Sequence, residues 1–102
     1  MPKETYVVIG YDATDADALQ RRLDARPDHL TAMQASKDAG VVKLAVALQN
    51  EAGTASIGSI VLLEVNSYDE VQAYLDGEPY VSRGVWETVK VHKGAVPPLF
   101  SL

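Results

Sequence analysis

Proton chemistry near neutral pH needs a group that titrates there, and histidine is the side chain whose ordinary range fits. The sequence has two, His29 and His92. His29 lies in "RPDHLTAM", three residues after Arg26 and two after Pro27, where a helix could begin. A histidine so placed can take and return a proton, and Arg26 can grip a carboxylate or phenolate with its planar fork of donors. The plainer readings stand beside these: His29 solvated or bonded to backbone at a helix start, and Arg26 paired on the surface with Asp24 or Asp28. His92 reads as exposed on the last strand. There is no cysteine, which excludes thiol nucleophiles, zinc–thiolate sites and disulfides. No glycine-rich phosphate motif is present. Two histidines so far apart in sequence do not suggest a metal centre, and no nucleophile-elbow sequence surrounds Ser59.

The elements that must position these groups can be read along the chain. Residues 5–11, "TYVVIGY", are β-branched and aromatic, and both faces are apolar, as in a strand covered on both sides. Residues 14–25 have helical spacing, with Thr14 as N-cap and Leu19 and Leu23 on one face. Pro27 is expected to interrupt, so a second helical segment runs from Pro27 to Ala39 and stops at Gly40. On it His29, Met33 and Ser36 share a side. Residues 41–49 alternate, placing Val42, Leu44, Val46 and Leu48 on one apolar face. "NEAGTAS" is a hairpin loop. Residues 57–65 form a second strand apolar on both faces. "SYDEVQAYLDG" is a helix, with Ser67 and Glu70 as a capping box and Gly77 as its end. "GEPYVSRG" is an irregular link. Residues 85–93 form the last strand, with Val85, Val89 and Val91 on one face and Trp86, Thr88, Lys90 and His92 on the other. "GAVPPLFSL" is a proline-broken tail from Gly94 with exposed Leu99, Phe100 and Leu102.

The order β-α-β-β-α-β is the ferredoxin-like, split βαβ arrangement: an α+β sandwich with an antiparallel four-stranded sheet, both helices on one face and strands one and three central. Those are the two strands read as apolar on both faces. The opposite face also carries apolar side chains, and a second copy packed sheet to sheet is the simplest cover. The 102 residues fit a single domain, and so short a chain has a thin core of its own.

Composition narrows the function classes. Nine basic and fourteen acidic residues give a net charge of −5, and no basic cluster exceeds Arg21-Arg22, which argues against nucleic acid or an anionic membrane surface as partner. The N-terminal stretch lacks the apolar run of a signal peptide, and no segment approaches the roughly 18 apolar residues of a membrane span. A cytoplasmic location is expected.

Taken together, "RPDHLTAMQASKDAG", "IGSIVLLEV" and "GEPYVSRGVWETVKV" resemble the YCII-related (YciI-like) family. That pattern has Arg-x-x-His on the first helix, Gly-Ser entering the third strand, and an Asp-Pro-aromatic segment before a Gly and the last strand. Here it reads Arg26 and His29, Gly58 and Ser59, and Glu78-Pro79-Tyr80 followed by Gly84. The resemblance implies a dimeric α/β barrel and a catalytic His–carboxylate pair, His29 with Glu78, where Glu78 stands in place of the family's Asp. The segment after the second strand lacks the Ala-Gly-Pro of many relatives. Arg26, Ser59, Tyr80 and Trp86 are the expected substrate-binding residues, although a strand-starting Ser59 and core or dimer packing for Tyr80 and Trp86 are the plainer roles. A carboxylate on one ring nitrogen fixes the imidazole tautomer and steadies its protonated form, leaving the other nitrogen to move protons, typically worth about 10²–10⁴-fold in rate. The expected function is therefore a cofactor-independent lyase or isomerase acting on a small cyclic or aromatic molecule. The alternatives are a non-catalytic ligand-binding or accessory module on the same homodimer, and a cofactor-free oxygenase.

Overall fold

The computed structural model describes residues 2–102. Its elements run β1 (Glu4–Asp12), α1 (Ala18–Asp38), β2 (Val42–Gln49), β3 (Ser56–Val65), α2 (Tyr68–Asp76), α3 (Pro79–Ser82) and β4 (Trp86–Gly94). The strands form one antiparallel sheet in the order β2-β3-β1-β4. The chain is thus a ferredoxin-like α+β fold, with β1 and β3 in the centre. Tyr6 and Val8 from β1, and Val61, Leu63 and Val65 from β3, are buried on the helix side with Val71 and Tyr74 of α2.

Pro27 does not divide the first helix. α1 is continuous over 21 residues with Pro27 inside it. An interior proline forfeits a backbone hydrogen bond and costs about 3 kcal/mol. Arg22, Ala25 and His29 are the buried positions of this helix, and the docking of that face offsets the defect. α1 also starts later than expected: Asp17, not Thr14, is the N-cap, and the Asp15 side chain accepts from the Asp17 amide and bridges to Arg21. The capping box of α2 does not close either. Ser67 is the N-cap without a side-chain bond, and Glu70 accepts from the Asn66 side chain instead.

Two strand irregularities redirect side chains. Tyr11 pairs with Thr88 but Asp12 pairs with Trp86, so β4 spends an extra residue, Glu87, at this point. Such a bulge reverses the alternation of faces. Trp86 therefore leaves the face of Thr88, Lys90 and His92, where strict alternation put it, and lies on the helix side against Gly10. A Cβ on Gly10 would sit 2.3 Å from the indole, so only glycine fits beneath it. A second shift at Lys43 separates Val42, buried opposite Leu63, from Leu44, which faces away beside Leu62. Val42 thus does not share the face of Leu44 and Val46.

That outer face remains apolar and uncovered. Leu44 is 49% exposed, Val46 48% and Tyr11 44%. Leu99, Phe100 and Leu102 of the tail are exposed as well. Among the described residues no helix is long and apolar enough to cross a membrane.

Candidate active site

The segment read as an irregular link is a helical turn, and its chemistry explains why. Glu78 is its N-cap, extended at φ −90° and ψ 113°, and its carboxylate accepts from the Tyr80 amide at 3.1 Å. Pro79 fills the first helical position, where a missing amide hydrogen costs nothing. Gly84, at φ 71°, closes the turn, with the Gly84 amide donating to Val81 and the Val85 amide to Tyr80.

The same cap carboxylate reaches α1. Glu78 Oε1 lies 2.6 Å from His29 Nδ1, and Oε2 accepts from the Tyr74 hydroxyl at 3.1 Å. Glu78 is 1% exposed and His29 8%. Both carboxylate oxygens are therefore fixed from three elements, α1, α2 and α3. Burial, then the Glu78 charge and the bond to it, pushes the Tyr74 phenol well above its ordinary range, so Tyr74 stays a donor. The ring of Tyr80 stacks on His29, 3.8 Å between centroids and 5° from parallel. With Nδ1 held by Glu78, Nε2 is the ring nitrogen left for exchange.

Beside this pair, between α1 and the β2–β3 half of the sheet, is a cavity of about 400 Å³. Its polar wall is Arg22, Arg26, His29, Ser59 and Tyr80; its mouth is apolar, with Leu19, Leu23 and Leu30 about half exposed. Volumes of this size accommodate small molecules. Arg26 does not make the expected surface pair: Asp24 accepts from Gln20 and Asp28 from Arg83. Trp86 is not on the cavity wall. It backs Tyr80 edge to face at 5.8 Å, and its buried indole N–H has no partner among the described residues.

Three further residues at the site, Arg22, Asp12 and Tyr74, are not singled out by the sequence. Arg22 donates through Nη1 to both oxygens of Asp12 at 2.8 Å, points Nη2 toward Ser59 at 3.4 Å, and rests over the Tyr80 ring at 4.8 Å. Tyr74 holds the back of Glu78. The signal for Arg22 was helical spacing: residues 22, 26, 29 and 33 form one stripe, visible only if the helix is carried through Pro27. Asp12 and Tyr74 had no comparable signal.

Comparison with known proteins shows the family. The YCII-related domain matches residues 5–93. The chain belongs to the YCII-related family. Protein YciI of Escherichia coli O6:H1 is 38% identical over 91 residues, covering 84% of this chain and 91% of that protein. Among solved structures, 5-chloro-2-hydroxyhydroquinone dehydrochlorinase of Burkholderia phenoliruptrix AC1100, in complex with 2,5-dihydroxybenzoquinone, superposes with a TM-score of 0.79 at 20% identity, covering 95% of this chain and 99% of that one. A dimeric ferredoxin-like protein from an uncultured marine organism gives a TM-score of 0.54 at 14% identity, covering 100% of this chain and 94% of that one. At these identities the structural likenesses establish the shared fold. In this member of the YCII-related family the Glu78-Pro79-Tyr80 segment is the α3 turn, and the carboxylate that caps that turn also contacts His29.

Proposed function

We propose that the chain is a homodimeric lyase or isomerase that moves a proton on a small cyclic substrate, with His29 as general base and acid and Glu78 as its orienting group. The observation that carries this reading is the buried 2.6 Å contact between His29 Nδ1 and Glu78 Oε1 at the wall of a cavity of ligand size. Glu78 fixes the tautomer with hydrogen on Nδ1, so Nε2 presents a lone pair. In an elimination, Nε2 takes a proton from the substrate, the electrons of that bond form a new double bond, and a leaving group such as chloride departs with its electron pair. In an isomerisation the same nitrogen returns the proton elsewhere on the ring. The dehydrochlorinase with the same fold acts on a chlorinated hydroxyhydroquinone, which makes hydroxylated rings the first substrates to try. The apolar outer sheet face supports association with a second copy.

The test is a panel of chlorinated and chlorine-free hydroxylated rings incubated with the protein, followed for chloride release, solvent deuterium uptake and oxygen consumption. Release or exchange that disappears in His29→Ala, with folding and association intact, is the expected result. Binding without turnover would favour an accessory ligand-binding module, and oxygen uptake would favour an oxygenase.

A further inference from the structure

The cavity wall differs in charge from the rest of the chain: it is lined by two arginines while the acids nearest to it are drawn back. The protein as a whole carries −5. Among the described residues the cavity wall carries Arg22, Arg26 and His29 and no carboxylate. The two nearby acids are placed behind bases and off the wall: Asp12 is spent on Arg22, and Glu78 on His29. Among the described residues Arg26 makes no ion pair, and Asp24 and Asp28 accept from Gln20 and Arg83.

Arg22 is also held rigidly. It is 7% exposed, is clamped through Nη1 to both Asp12 oxygens and lies over Tyr80, the ring on which His29 stacks. Arg22 and His29 thus both pack on the ring of Tyr80. Arg22 Nη2 makes only the long 3.4 Å approach to Ser59. Preoriented donors of this kind recognise an oxyanion better than a flexible lysine does.

We infer that the cavity selects an anion, a small flat molecule with a carboxylate or ionised hydroxyl, whose charged oxygen is read by Arg22 and Arg26 beside the proton handled by His29. This rests on the cavity being the substrate site, and it adds the charge class and Arg22. Leu19, Leu23 and Leu30 at the mouth suit the apolar part of such a molecule.

The experiment compares benzoate with benzamide, which has nearly the same shape and no charge, by titrating each into the native protein and following the His29 imidazole resonances. Saturable movement with benzoate, and at least about tenfold weaker binding of benzamide, is expected from the loss of charge-assisted hydrogen bonds. Arg26→Gln and Arg22→Gln should each weaken benzoate and leave benzamide unchanged. Arg22→Gln strands Asp12, so the double variant Arg22→Gln/Asp12→Asn serves if the single one misfolds, and the exposed Arg26→Gln is expected to fold in either case. Benzamide moving His29 as readily as benzoate, or benzoate binding indifferent to both arginines, overturns the inference and leaves the cavity as a ligand site. If neither probe moves His29 at millimolar concentration, the anion inference and the cavity assignment both fall.

Discussion

Glu78 does two jobs with one carboxylate, and substitutions can separate them. Glu78→Gln keeps the side chain's length but removes its charge and replaces one accepting oxygen with a donating amide. Turnover should fall by about 10²–10⁴-fold, with only a modest loss of thermal stability; steady-state kinetics beside a melting curve checks both. Glu78→Ala also abandons the Tyr74 hydroxyl, the Tyr80 amide and His29 in a buried place. Each stranded group costs about 1–3 kcal/mol, so denaturant titration should show a protein near its folding limit. Tyr74→Phe removes only the rear support of the carboxylate. We expect a loss of about 1.5–3 kcal/mol, the range for a hydrogen bond to a charged group, and a lowered kcat with KM little changed, because Tyr74 does not line the cavity. Tyr74 and Tyr80 both have phenols raised above the ordinary value of 10.0, chiefly by burial. Above pH 10 the unfolded chain loses those protons first. Folding stability is therefore full below that pH and declines as pH rises beyond it. An alkaline melting series should show this slope, and Tyr74→Phe should make it shallower.

At the scale of elements, most of the fold was legible because hydrophobic alternation survives even where details shift. β1 and β3 read as central strands since both of their faces are apolar, and the topology places them there. What strict alternation could not reveal was a bulge, because an extra residue such as Glu87 leaves no mark in composition. Trp86 was thereby assigned to the wrong face. Pro27 was over-read in the same way. Propensity gives the cost of a proline in a helix, but only the docked face of α1 shows what offsets it. Within the site, the His29–Glu78 pair was accessible through family resemblance, whereas Asp12, Arg22 and Tyr74 depend on which elements meet in space. Gly10 offers a check at this level. Gly10→Ala puts a methyl where the indole of Trp86 lies and should destabilise by about 1–3 kcal/mol, as overpacking does, with a matching change in tryptophan fluorescence.

At the scale of the whole molecule, the two faces of the sheet are unequal. One is covered by α1 and α2. The other presents Leu44, Val46 and Tyr11 to solvent, in a chain short enough to have a limited core of its own. The proposed association through this face predicts a melting temperature that rises with protein concentration. Val46→Lys should convert the dimer to a less stable monomer, as sedimentation would record.

The polar groups named at the site, from Asp12 to Glu78, lie on the helix side of the sheet, opposite the face proposed for association. Two copies joined there would work as separate reactors. A dimer of one native and one His29→Ala chain should then retain half its activity, and in a cell holding both versions of the gene the inactive copy would dilute the working one without poisoning it.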